Sequence, residues 1–327
     1  EVYNVSGLPK VSTSMELARI LSASGPTMGN LVRPSDEKEP KKIAWLQCVG
    51  SRDINRCDHS YCSSVCCMYA IKESVIAKEH AGDDLDCAIF FMDMRTHGKD
   101  FETYYDNARE KQGVRFIRSR VHTIDPVEES DDLSLKYATE DGEFKEERFD
   151  MVVLSVGIET APGVMDLAET LGLDIGEEGF CQTESLYPVA TSKEGVYVCG
   201  AFQGPKDIPQ SVMEASAAAC AVSTDLSDAR GSDARIKEIP DEMDVSDVES
   251  KVGVFVCNCG INIGGVVDVP VLAEYASTLP NVVFTDQNLF TCSQDTQEKM
   301  KEVIKEHGVN RVVVAACSPT THEALFQ

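Results

Sequence analysis

Four cysteines, Cys48, Cys62, Cys66 and Cys67, follow an apolar run at residues 43–47 in the order C-V-G-S-R-D … C-S-S-V-C-C. The compact C-x3-C-C end places three thiols at what reads as the start of a helix, and the fourth comes from the loop before it. Few disulfide frameworks call for adjacent cysteines with a third one turn away. A metal cluster does, because four thiolates must converge on one small inorganic core, each iron taking one terminal thiolate. The spacing is not the ferredoxin C-x2-C-x2-C. Zinc is the structural rival, although zinc ribbons use paired C-x2-C knuckles and not adjacent cysteines; buried or redox thiols are the remaining reading. Cys57 is a fifth thiol nearby.

A second constellation is Cys257-Asn258-Cys259-Gly260, then Cys292, then Cys317. Cys257 and Cys317 fall at or just past the ends of expected strands, and Cys292 falls in the loop after another. In an open parallel sheet those ends share one edge, where ligands bind, so sequence-distant thiols can converge there. Cys292 and Cys317 also fit ordinary buried cysteines. Cys87, Cys181, Cys199 and Cys220 stand singly in mostly apolar stretches and read as core.

A third signal lies at residues 196–212. It reads strand, glycine turn and helix, with Pro209 marking the helix start. The N-terminal amides and dipole of such a helix favour negative charge, such as the pyrimidine side of a reduced flavin. A plain α/β turn has the same signature. No G-x-G-x-x-G occurs, so either no flavin binds or the first half of its site lies upstream of Glu1. C-V-G-S-R-D occupies the place of a nicotinamide pyrophosphate loop, which a nucleotide could hardly share.

The elements that must position these residues alternate strand and helix. A short helix at 14–23 and a loop at 25–42 come first. Strands follow at 43–47, 86–92, 114–121 and 151–156, with helices at 68–80 and 100–111. Asp141-Gly142 joins a hairpin of strands 133–138 and 143–149. This order predicts an α/β fold with a Rossmann-like parallel sheet in three layers. A helix at 163–171, a strand at 195–199 and an Ala-rich helix at 209–222 come next. Residues 227–250 are charged and read as an acidic linker. A second α/β unit then carries strands at 254–256, 282–284 and 311–315 and helices at 271–278 and 296–307.

The chain has 327 residues and a net charge of −25, which disfavours nucleic acid and anionic membranes as partners. The charge serves solubility or offers an acidic face to a basic electron carrier. No apolar run reaches the roughly 18 residues that span a bilayer. Thirteen cysteines, several spaced for metal, predict a reducing compartment, the cytoplasm. The start at Glu1, without Met or signal segment, reads as an interior point of a longer polypeptide.

Four stretches are specific beyond this: I-A-W-L-Q-C-V-G-S-R-D, Y-C-S-S-V-C-C-M-Y-A-I-K, V-Y-V-C-G-A-F-Q-G-P-K-D-I-P-Q-S-V and V-A-A-C-S-P-T-T-H-E-A-L-F-Q. Together they resemble the A subunits of heterodisulfide reductases, a flavin- and iron–sulfur-containing family of methanogens and sulfate-reducing anaerobes. The likeness covers nearly the whole chain except the acidic linker. It implies a thioredoxin-reductase-like fold with FAD and [4Fe–4S] clusters. The ligands it implies are Cys48, Cys62, Cys66 and Cys67, with Cys57 extra, and Cys257, Cys259, Cys292 and Cys317 for a second cluster. The flavin segment would be Gly200, Ala201, Asp207, Ile208, Pro209, Gln210, Ser211 and Val212. Lys72, just past the cysteine pair, would approach the flavin, where a cation stabilises an anionic ring; a solvated helix lysine is the plain alternative.

The resemblance assigns residues 1–40 and 151–226 to the C-terminal part of an FAD domain and 41–150 to a nicotinamide-type domain carrying a cluster. Residues 251–327 resemble the family's amino-terminal domain, here after the flavin segment instead of before it, as at a junction between two modules. The family's ferredoxin-type inserts and the first FAD half are absent from this stretch. Ala201 stands where thioredoxin reductases place Asp, and no C-x2-C dithiol occurs. The implied function is an oxidoreductase subunit passing electrons between FAD and clusters, with electron bifurcation, in a complex with other heterodisulfide-reductase-type subunits and hydrogenase- or ferredoxin-type carriers. A zinc-stabilised docking scaffold and a pyridine-nucleotide-dependent flavin reductase are the rivals.

Overall fold

A computed structural model describes Tyr3 and residues 7–82, 84–128, 130–234, 241 and 244–326. The chain divides into two compact units, Glu1–Leu21 with Asn30–Ala234 and Ser22–Gly29 with Arg235–Gln327. The first unit is built on a five-stranded parallel sheet. Its strands are β1 (Val11–Thr13), β2 (Lys42–Val49), β3 (Asp86–Phe91), β4 (Arg115–Arg118) and β8 (Met151–Val156), in the order β1-β8-β2-β3-β4. An antiparallel sheet of β5 (Ile124–Pro126), β6 (Leu133–Ala138) and β7 (Phe144–Phe149) supplies a second layer. Helices α1 (Ser14–Leu21), α3 (Cys66–Ala81) and α4 (Phe101–Glu110) supply the third; a short α2 (Ile54–Cys57) precedes α3.

The two-residue period of β2 explains why the sheet is covered on both faces. Ile43 and Trp45 point into a core with Leu17, Ile71, Ile89 and Val153, on the helical side. Ala44 and Leu46 point into a core with Phe90, Leu133, Leu135, Phe149 and Leu154, on the side of the antiparallel sheet. The fold is therefore an α/β fold of Rossmann type in three layers. Helices α5 (Pro162–Leu171) and α6 (Ile208–Asp225) follow.

The second unit is a smaller parallel sheet of β9 (Val252–Cys257), β10 (Val282–Asn288) and β11 (Arg311–Ala315), in the order β10-β9-β11. It carries α7 (Gly260–Ile263), α8 (Val269–Ser277), α9 (Gln294–His307) and α10 (Pro319–Phe326). Val254, Val256, Val269 and Ala276 form its core.

Several expectations change. β1 and β8, expected in one domain part, pair with each other, but β8 also pairs with β2 in the same sheet, so residues 1–40 (apart from 22–29), 41–150 and 151–226 fall in one compact unit. The strand expected at 195–199 is a single bridge, Ala190 to Tyr197, held by turns. A strand needs a ladder, and here the partner segment offers only one residue's worth. The strand expected at 114–121 stops at Arg118, where its pairing with Phe91 ends. Cys199 and Cys220, read as core, are exposed, whereas Cys87 and Cys181 are buried. Cys220 lies on α6, none of whose described residues is buried. Residues 235–240, 242 and 243 of the expected linker lie outside the described residues.

One polar pair sits inside the helical-side core. Trp45, the sole tryptophan, is fully buried and donates from Nε1 to Glu73 Oε2 at 3.0 Å. Burial pushes the Glu73 carboxyl up to about 8, against a smaller opposing effect of the Trp45 bond and the Lys72 charge. The folded state therefore keeps a proton that the unfolded chain gives up near the ordinary value of 4.5. Stability from this group is full below about pH 4.5 and falls as pH rises toward about 8, at about 1.4 kcal/mol per pH unit. Glu73→Gln keeps an acceptor for Trp45 and removes the titration. Urea denaturation across this range is expected to show a shallower pH dependence in the variant than in the wild type; identical slopes would contradict the buried, protonated carboxyl.

Candidate metal centre

β2 does not end as a regular strand. Its register with β8 shifts between Leu46 and Val49, a bulge that turns Cys48 out of the ladder. Cys48 has φ +60°, in the left-handed region that side chains rarely adopt. Arg52, Asp58 and Ser64 in the following loop also have positive φ. Such clustered strain persists only where surrounding contacts hold it. Here Ser51 and Ser63 hydroxyls bond at 2.5 Å, and Ser63 Oγ accepts from the Ile158 amide at 2.8 Å. The loop is thus fastened to the end of β8.

The same loop and the start of α3 place four thiols within electrostatic reach of one another. Cys66 and Cys67 open α3, a 16-residue helix whose cap Val65 offers no side-chain bond. A helix start favours thiolate. Each of Cys48, Cys66 and Cys67 lies within electrostatic reach of the others and of Cys62. Burial first, and neighbouring thiols after it, push Cys66 up to about 12 and Cys67 up to about 11. Cys62 Sγ accepts from the Ser64 amide at 3.3 Å. Cys66 stands beside the Tyr69 hydroxyl, which donates to the Val156 carbonyl at 2.6 Å. Cys57 is turned elsewhere, its thiol bonding to the Asp53 carbonyl at 3.0 Å. Among the described residues, no three His, Cys, Asp or Glu side chains close around a single ion.

In the second unit, Cys257, Cys259, Cys292 and Cys317 line one cavity of about 380 Å³. Cys257 ends β9, Cys259 caps α7, and Cys292 and Cys317 follow β10 and β11. Burial, then the neighbouring Cys257, Cys317 and Cys292 thiols, raise the Cys259 thiol above its ordinary value; a side-chain bond to Asn262 opposes them. His322 and Phe326 of α10 also line the cavity, and sequence reasoning missed them. Thr291, next to Cys292, is fully buried, and its hydroxyl has no protein partner.

The expected flavin segment forms a 3-10 turn at Gly200–Phe202 and the start of α6. Asp207 and Gln210 cap the helix reciprocally: Gln210 N donates to Asp207 Oδ1 at 2.8 Å, and Asp207 N to Gln210 Oε1 at 3.3 Å. Their side chains are therefore committed to the helix itself. Ser211 Oγ donates to the Asp207 carbonyl at 2.8 Å. Ala201, Ile208, Pro209 and Val212 are exposed. Glu214, missed in the sequence, locks the turn by accepting from Gly200 N at 3.0 Å and from Lys206 Nζ at 2.7 Å. Lys72 is exposed on α3, five residues past Cys67.

Gly157, just after β8, is where the cysteine loop comes closest. A Cβ there would collide with the hydroxyls of Ser51 and Ser63 and lie 3.3 Å from the Gly50 carbonyl. Gly157→Ala is expected to destabilise the first unit by about 1–3 kcal/mol, read as a lower urea midpoint. An unchanged midpoint would mean that the loop is not fastened there.

Residues 86–219 match the family described as pyridine nucleotide-disulphide oxidoreductase. The chain is 43% identical over 232 residues to the second iron-sulfur A subunit of the CoB--CoM heterodisulfide reductase of Methanopyrus kandleri, covering 69% of this chain and 35% of that protein. It is 43% identical over 224 residues to the A subunit of the H(2):CoB-CoM heterodisulfide,ferredoxin reductase of Methanothermobacter marburgensis (66% and 33%). It is 39% identical over 247 residues to the iron-sulfur A subunit of the CoB--CoM heterodisulfide reductase of Methanocaldococcus jannaschii (74% and 37%). The chain thus spans about a third of the length of these relatives. The thioredoxin reductase structure from T. acidophilum is similar with a TM-score of 0.43 at 15% identity, covering 68% of this chain and 60% of that one. Over the matched two thirds of its length, the chain belongs to the family of heterodisulfide reductase A subunits.

Proposed function

We propose that this chain is part of an electron-transfer subunit of a heterodisulfide-reductase-like complex. On this reading Cys48, Cys62, Cys66 and Cys67 hold one [4Fe–4S] cluster, and Cys257, Cys259, Cys292 and Cys317 hold another. The observation that carries it is the second cavity, where thiols from the ends of three different strands line about 380 Å³ of shared space. One ion needs far less room, and dispersed core cysteines need none. The thiol donor set fits iron and sulfide, since soft thiolates suit such clusters. A cluster would supply one-electron steps, and FAD would supply the change between one and two electrons.

The chain's own residues do the holding and tuning. On this reading the bulge at Cys48 and the start of α3 would present the first thiols to the cluster. The Ser64 amide bonds to the Cys62 sulfur, an interaction that tunes cluster potential. The turn at Gly200 and Ala201 and the start of α6 at Asp207, Ile208, Pro209, Gln210, Ser211 and Val212 would hold one side of the FAD. Gln210 N and Ser211 N are already bonded within the cap and Pro209 has none, so the Ile208 amide and the helix dipole are what this end offers. Lys72 would place a positive charge at the flavin. The proposed partners are further subunits of the complex and carriers of hydrogenase or ferredoxin type, with bifurcation of an electron pair as the task and the cytoplasm as its place. No helix is long and apolar enough to cross a membrane among the described residues.

Anaerobic reconstitution tests this directly. About eight irons and eight acid-labile sulfides per chain are expected, four of each per cluster. Cys66→Ser and Cys292→Ser should each remove about half. Zinc bound without sulfide would contradict the reading.

A further inference from the structure

We infer that Arg52 and Arg95, joined through Asp93, are the counter-charges that set the redox poise of the centre at Cys48, Cys62, Cys66 and Cys67. The inference rests on that centre being an iron–sulfur cluster. Arg52 comes from the strained loop after β2, and its positive charge lies within electrostatic reach of Cys48. Arg95 comes from the loop after β3; its guanidinium lies within electrostatic reach of Cys62, and its backbone amide favours the Cys67 thiolate. Asp93 ties the two together, forming an ion pair with Arg52 and accepting from Arg95 Nε at 3.0 Å. The Asp93 carbonyl stands 3.9 Å from the Cys67 sulfur. The two arginines and Asp93 thus form one ion-paired cluster within electrostatic reach of Cys48, Cys62 and Cys67.

The arrangement is unusual for this chain, which has 30 basic against 55 acidic residues. An exposed ion pair contributes little to stability, so fold alone gives weak reason to place two guanidiniums here. Their relation to a negative centre is different. A gained electron adds negative charge, which a neighbouring guanidinium stabilises and a neighbouring carboxylate opposes. The Asp93 charge is felt at Cys48 and Cys67. Arg52 and Arg95 therefore raise the potential, and Asp93 holds it down while keeping both arginines in place. Side-chain exposures of 24% and 39% for Arg52 and Arg95 leave the effect partly screened.

The test is a spectroelectrochemical titration of the anaerobically reconstituted chain, with Cys292→Ser removing the signal of the second centre. Arg52→Gln and Arg95→Gln are each expected to shift the one-electron equilibrium toward the oxidised form by about three- to tenfold, tenfold being about 59 mV. Asp93→Asn is expected to shift it the other way, and Arg52→Lys to stay near the wild type. High salt should shrink each shift. Loaded variants with unchanged potential, or Asp93→Asn moving with the arginine variants, would overturn this inference alone. A wild-type chain that takes up no iron or sulfide would overturn the cluster reading and this inference with it.

Discussion

Gathering thiolates in a partly buried place is the constraint on which the rest of the structure turns. Each buried thiol resists ionisation, and each ionised neighbour makes the next harder to ionise. Cys66 and Cys67, pushed up to about 12 and about 11, show both effects. Bringing a thiol at 12 to thiolate at neutral pH costs about 1.4 kcal/mol for every unit between. A helix start, a few amides and two arginines offset part of that. A cationic metal core offsets it outright, and metal binding then becomes linked to proton release and folding. The proposed clusters answer that constraint; four neutral thiols would leave it without a purpose.

The scaffold follows the same demand. A parallel sheet delivers chain ends to one edge; Cys48 lies at the carboxyl end of β2 in the first unit, and Cys257 ends β9 in the second. In the first unit the bulge in β2 and the left-handed Cys48 bend the chain early, toward the start of α3. In the second unit Cys257 ends β9, and Cys292 and Cys317 lie in the segments that follow β10 and β11. Ser51, Ser63 and Gly157 close the first arrangement by packing the loop onto β8 without a side chain between them.

Much of this was legible in the residues. The apolar runs of β2, β3 and β8 are continuous because the sheet is buried on both faces, and β6, β8 and β11 take their expected bounds. The spacing of Cys257, Cys259, Cys292 and Cys317 pointed to a shared edge, and all four line one cavity. The rest depended on contacts that spacing does not encode. β1 is three residues long and is a strand only through its pairing with β8. α10 has no buried residue and little amphipathic pattern, yet it walls the second cavity. Arg52 stands inside the recognised C-V-G-S-R-D stretch, but nothing local says that Asp93 and Arg95, some forty residues on, will meet it. The segment at 195–199 misled because its apolar residues imply a ladder that its neighbours do not supply.

Anomalous diffraction at the iron absorption edge, from crystals grown without oxygen, tests the central claim most directly. The account predicts two compact peaks, one enclosed by the sulfurs of Cys48, Cys62, Cys66 and Cys67 and the other by those of Cys257, Cys259, Cys292 and Cys317. Signal at the zinc edge alone, or iron at neither set of sulfurs, would contradict it.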